Sequence, residues 1–142
     1  MTLGDITQDR SLWYSETIPE TYSKAEQESR REVLWHKDAN LVGSRQAGVP
    51  EDEEAYHFPV LDIDFEANLI PSSTEGHYHL YLEKKLTWKQ YSKLLEALAD
   101  AGIIEEGYLD QSLQREQTFV RLPGETKEAE KKKPKKERLN RY

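Results

Sequence analysis

The chain has 142 residues, 27 acidic and 20 basic, for a formal net charge of -7, a length that fits one domain. It contains no cysteine, which excludes disulfides, thiol catalysis and cysteine zinc sites and fits a reducing cytoplasm. No window approaches the ~20 apolar residues of a membrane span, and Met1 to Arg10 lack the apolar core of a signal peptide, so a soluble cytoplasmic protein with no membrane partner is expected. The charge is uneven: from Glu125 to Tyr142 eight Lys or Arg face four Glu, a net of +4, and the preceding residues carry -11. A body that acidic repels a phosphate backbone unless bound cations or a local patch reverse the field.

Residues 1 to 19 are polar with scattered aromatics such as Trp13 and Tyr14, an arm expected to wrap the domain or dock on a partner. Glu20 to Trp35 is rich in helix formers with a thin apolar stripe. Asp38 to Glu54, with Gly43, Gly48, Pro50 and an acidic run, reads as a loop. Residues 1–55 are therefore an N-terminal helix and loop arm, 56–124 the core, and 125–142 a disordered tail of low complexity.

Within the core, Tyr56 to Phe65 alternates, with Leu61, Ile63 and Phe65 on one face and Asp62 and Asp64 on the other, and predicts a strand. Asn68 to Glu75 reads as a turn-rich connection. His77 to Glu83 predicts a second strand, with Tyr78, Leu80 and Leu82 towards the core and His77, His79 and Tyr81 away from it. Thr87 and Gln90 have capping-box spacing. Trp88, Tyr91, Leu94, Leu95 and Leu98 form a helical stripe that Gly102 closes. A short helix near Tyr108 to Leu113 and a third strand at Thr118 to Leu122 complete an α+β fold: a small antiparallel or mixed sheet with one main amphipathic helix packed on it.

Three features could carry chemistry. In Asp62-Ile63-Asp64 a strand puts two carboxylates on one face, roughly 6.6 Å apart, where they repel unless a cation lies between them; magnesium or manganese suits such an oxygen-rich pair. The same pattern also describes the water-facing side of an antiparallel sheet. Gly76-His77-Tyr78-His79 would add imidazoles to that face, as metal ligands, as contacts to an anionic substrate, or merely as a balance to its charge. Arg121, before Pro123-Gly124, could fork onto a phosphate or pair with a carboxylate such as Asp110, itself a candidate third metal ligand. His36 and His57 lack patterned partners and read as structural or exposed.

In combination, Leu61-Asp62-Ile63-Asp64, the stretch Ser72 to Tyr81 and Arg121-Leu122-Pro123-Gly124 resemble motifs of the archaeo-eukaryotic primase and primase-polymerase superfamily. The resemblance covers about residues 58 to 124. It implies Asp62 and Asp64 as catalytic metal ligands for magnesium or manganese, and His79 as a phosphate contact in the catalytic set. It also implies Asp110 as a third ligand, Arg121 as a substrate contact, and nucleotide or nucleic acid as the substrate. The segment from Glu66 to Glu75 is shorter than in those enzymes. The whole chain also resembles small proteins of actinobacterial phages, through Pro71 to Tyr81, Ala97 to Glu105 and Phe119 to Pro123; that likeness implies no activity. Two functions follow as expectations. One is a reduced primase-polymerase-like domain, catalysis retained or lost. The other is a non-catalytic adaptor that binds a protein partner through its N-terminal arm and basic tail.

Overall fold

A computed structural model describes residues 2–16 and 30–125. The tail expected to be disordered lies outside the described residues beyond Glu125, as does most of the helix expected from Glu20. The chain divides into two compact units, 1–62 and 63–142. The fold is α+β, with small antiparallel sheets and a few helices.

The first unit opens with a short helix α1 (Leu3–Thr7), begun by a reciprocal cap between Thr2 and Asp5. β1 (Arg10–Tyr14) lies between β2 (Arg31–Val33) and β3 (Leu41–Gln46), both antiparallel to it. This corrects three expectations: the aromatic arm supplies the central strand, the end of the expected helix is β2, and the expected loop contains β3. The aromatics and Leu12 of β1 favour a strand, and Gly43 in β3 has a steric reason. A Cβ there would sit 2.6 Å from Ser11 Oγ and 2.9 Å from Trp13 Nε1, so the glycine lets the Trp13 indole, itself donating to Ser11 Oγ at 2.9 Å, close against the neighbouring strand.

Polar clamps complete this unit. The Asn40 side chain accepts from Ser15 N–H at 3.0 Å and donates to its carbonyl at 2.7 Å, extending β1 pairing by one side chain. Arg10 donates to the carbonyls of Ile6, Phe58 and Pro59. Arg45 holds the acidic loop by donating to the carbonyls of Pro50 and Glu53. Buried residues here are mostly small and polar, Ser11, Ser15 and Thr7 alongside Leu12.

The second unit begins with a hairpin, β4 (Ala67–Pro71) and β5 (Tyr78–Leu82), antiparallel, with Leu69 opposite Leu80 and Ile70 opposite His79. The expected connection is therefore half strand. Its turn is confined to Ser72–His77, where Ser72 N–H bonds to the His77 carbonyl and Gly76 takes φ 79°, the left-handed region that favours glycine.

The main helix, α2 (Trp88–Asp100), follows the expected pattern. Thr87 Oγ1 accepts from Gln90 N–H, and Gln90 Oε1 accepts from Thr87 N–H. At the other end Gly102 has φ 74°, its N–H bonds to Ala99, and Ile103 N–H bonds to Leu98, the paired bonds of a Schellman stop. A second helix, α3 (Glu106–Arg115), packs against α2.

Two expected strands are absent. Of Tyr56 to Phe65 only a single bridge forms, His57 opposite Arg45, flanked by bonds between Gln46 N–H and the Tyr56 carbonyl and between Phe58 N–H and the Ser44 carbonyl. Beyond it the backbone is irregular and Leu61 is 77 % exposed. Alternation alone does not make a strand where no partner edge runs alongside. Thr118 to Leu122 is also irregular. It is tied down by side chains instead: Tyr91 Oη and Thr118 Oγ1 lie 2.7 Å apart, and Tyr108 Oη donates to the Phe119 carbonyl at 3.2 Å.

Candidate functional site

The residues singled out for chemistry are dispersed through the chain. Asp62 is the last residue of the first unit and Asp64 the second of the next, both exposed and on irregular backbone. The pleat expected to present them on one face is absent. Asp110 is exposed on α3. Among the described residues, no group of three or more His, Asp or Glu is arranged to hold a metal ion. His36 is exposed on a short 3-10 turn, and exposed His57 meets Ser44 Oγ through Nδ1 at 2.9 Å.

His77, His79 and Arg121 border one open groove of the second unit, together with Ser72 and Thr74. The Arg121 guanidinium donates from Nη2 to Ser73 Oγ at 3.4 Å, while its Nε is buried without a hydrogen-bond partner. His79, opposite Ile70, is half-buried.

The rest of the groove is mainly apolar, with Lys84, Glu105 and Glu106 also on its border. The hairpin supplies Leu69, Leu80 and Leu82, and α2 supplies Tyr91, Leu94, Leu95 and Leu98. The strand faces are reversed from expectation: Tyr78, Leu80 and Leu82 are exposed, Leu80 by 61 %, whereas His79 and Tyr81 are half-buried. Within the helical stripe Leu95 alone is buried; the others stay half-buried, because the surface beside them is the groove.

Tyr91 and Tyr108 give the groove wall its polar fixings. Burial pushes the Tyr108 hydroxyl above the ordinary tyrosine range, with Tyr91 adding to the rise and a hydrogen bond with Thr118 opposing it. Tyr108 therefore stays a neutral donor to the Phe119 carbonyl. Trp88 packs edge-on against Tyr91, ring centres 5.8 Å apart. Arg115 lies over Phe119 at 5.6 Å, a cation–π contact.

No family model matches the chain, and neither the curated proteins nor the solved structures contain a match to it. Sequence reading missed the groove because it assigned Leu80 and Leu82 to a core. The signal was present: among the described residues the second unit offers a two-stranded hairpin and two helices, too few elements to cover every apolar face that the pattern creates.

Proposed function

We propose that this protein is a non-catalytic binding module whose second unit receives an apolar segment of a partner protein in the groove bordered by β4, β5 and α2. The observation that carries the reading is the exposure of the groove wall. Leu69, Tyr78, Leu80, Ile103 and Phe119 are each more than half exposed, and all five border one concavity. A groove of this kind suits the apolar face of an amphipathic helix, whose anchors recur every three or four residues.

A second reading, nucleotide or nucleic-acid binding with magnesium or manganese, draws support from Arg121. Its guanidinium, with Nη2 donating to Ser73 and Nε unpartnered, borders the groove and would suit a phosphate oxygen.

Amide spectra of the full chain separate the two. A model amphipathic peptide of leucine and lysine should shift Leu69, Leu80, Leu98 and Ile103 in a saturable way and leave β1 and β3 unmoved. Manganese with ATP should leave Asp62, Asp64 and His79 unbroadened beyond the level of an Asp62→Asn, Asp64→Asn variant. Peptide shifts that never saturate or that scatter over both units refute the groove reading. Manganese broadening at those residues that the double variant loses would install the nucleotide reading in its place.

A further inference from the structure

We infer that β5 is a self-association edge, and that two copies of this chain join their hairpins through antiparallel β5–β5 pairing about a twofold axis near Leu80. This pairing is a property of the backbone edge and is independent of what occupies the groove.

In the β4–β5 hairpin, Ser72 N–H bonds to the His77 carbonyl and Glu83 N–H to the Glu66 carbonyl. With the register of Leu69 opposite Leu80, the alternation of an antiparallel ladder then assigns the inward bonds of β5 to His79 and Tyr81. The N–H and C=O groups of Tyr78, Leu80 and Leu82 point away from β4. Among the described residues no backbone bond reaches them, and no third strand joins this sheet.

Edge strands are normally blunted by Pro, by charge or by a bulge. The outer edge of β4 carries Pro71, which has no N–H to give. β5 reads Tyr78-His79-Leu80-Tyr81-Leu82, with no Pro, no Lys and no carboxylate, and its register with β4 runs without a shift. It is the unprotected edge of a hairpin that, as two strands, is marginal by itself.

The strand is also complementary to itself. With Leu80 opposite its own copy, Tyr78 falls opposite Leu82, and all three outward-pointing residues enter hydrogen-bonded pairs, roughly six bonds in total. On one face the exposed side chains of Tyr78, Leu80 and Leu82 would form one apolar surface across four strands. On the other face His79 falls opposite Tyr81. At the ends Glu83 comes level with His77, and Lys84 and Lys85 come beside the turn that carries Glu75, so opposite charges meet on both sides of the axis. A shift of one residue loses this match and pairs outward groups with inward ones. Such an isologous arrangement closes at two copies.

The test uses the full-length protein. Light scattering coupled to size exclusion should give twice the 16.6 kDa chain mass at concentrations of order 100 µM. Leu80→Pro deletes an outward N–H that the hairpin does not use and should return the monomer; circular dichroism reports whether it folds. Because the chain has no cysteine, Leu80→Cys introduces a single thiol. A hydrogen-bonded pair holds its Cα atoms about 5.5 Å apart, within the ~4.4–6.8 Å a disulfide spans. Mild oxidation should therefore link Leu80→Cys into a covalent dimer, while Glu96→Cys, exposed on α2, stays unlinked. A wild-type mass that remains 16.6 kDa across that range overturns the inference, leaving the edge free for a strand of another protein. A dimer that Leu80→Cys cannot link faster than Glu96→Cys also overturns it, since the interface then lies elsewhere.

Discussion

Leu95 is the place where the second unit is most exposed to a single change. It is the one apolar side chain of α2 that is buried, at 3 % exposure, while Leu94 and Leu98 beside it are half-buried along the open groove. Leu95→Ala removes three carbons from contact and leaves a void. Core Leu→Ala changes cost ~2–5 kcal/mol, the spread reflecting how well the site can collapse. Here the neighbours are half-free and the groove lies open, so they can move inward and the cavity contribution shrinks. The expected loss is therefore about 2–3 kcal/mol. For a small domain each kcal/mol lowers the midpoint by roughly 4–8 °C, so thermal unfolding followed by far-UV circular dichroism should drop by about 10–20 °C. Leu94→Ala, on the groove side, should lower it by less than half as much. A Leu95→Ala midpoint within about 3 °C of wild type would refute the assignment of Leu95 as the centre of this unit.

The remaining expectations are local. Gly43→Ala places a methyl within 3 Å of Ser11 and Trp13 and should destabilise the first unit by about 1–3 kcal/mol; urea unfolding followed through Trp13 fluorescence reads it, and an unchanged midpoint would deny the close approach. Thr87→Ala removes the side-chain half of the α2 cap and should cost about 1 kcal/mol, visible as faster amide exchange at Gln90 and Tyr91; unchanged exchange there would count against the cap. Asp5 is held below the ordinary carboxylate range by its bond to Thr2 N–H and then by the Thr2 hydroxyl. A depressed folded-state pKa contributes stability above the unfolded value that is lost as pH falls through the lower folded value. Helix α1 should therefore fray below about pH 4, and the Asp5 carboxyl resonance should move part of the way back towards its ordinary position in a Thr2→Ala variant, which loses the hydroxyl and keeps the N–H; titration at the ordinary position already in the wild type would contradict the cap.

What could be read from the sequence was what local chemistry decides. Helix α2 is framed by Thr87 and Gln90 at one end and Gly102 at the other, groups that act within one turn of where they stand; its bounds and stripe follow directly. Strand β5 was legible from alternation. Its orientation was not, because alternation separates two faces without saying which one is covered. That choice depends on which elements lie above each face, and here the Tyr78, Leu80 and Leu82 side is exposed while His79 and Tyr81 are half-buried. The segment around Asp62 failed for a related reason: its alternation lacks a partner edge beyond the bridge at His57.

The N-terminal unit was hidden by a different effect. Its apolar content is slight, and its pairing depends on contacts distant in sequence: Ser15 with Asn40, Arg10 with the carbonyls of Phe58 and Pro59, Trp13 over Gly43. A glycine that permits an indole to approach is indistinguishable, in a single sequence, from a glycine that marks a loop. The candidate site follows the same logic. Asp62, Asp64 and Asp110 were grouped by residue type and by a pleat that does not form, so their spacing carried no geometric force. His77, His79 and Arg121 border one groove because a hairpin turn at Gly76 and a bond from Arg121 to Ser73 bring them there. The hairpin thus gathers these features: it borders the groove, its turn carries His77 beside β5 with His79, and, among the described residues, the outer edge of β5 carries no Pro and no charged side chain.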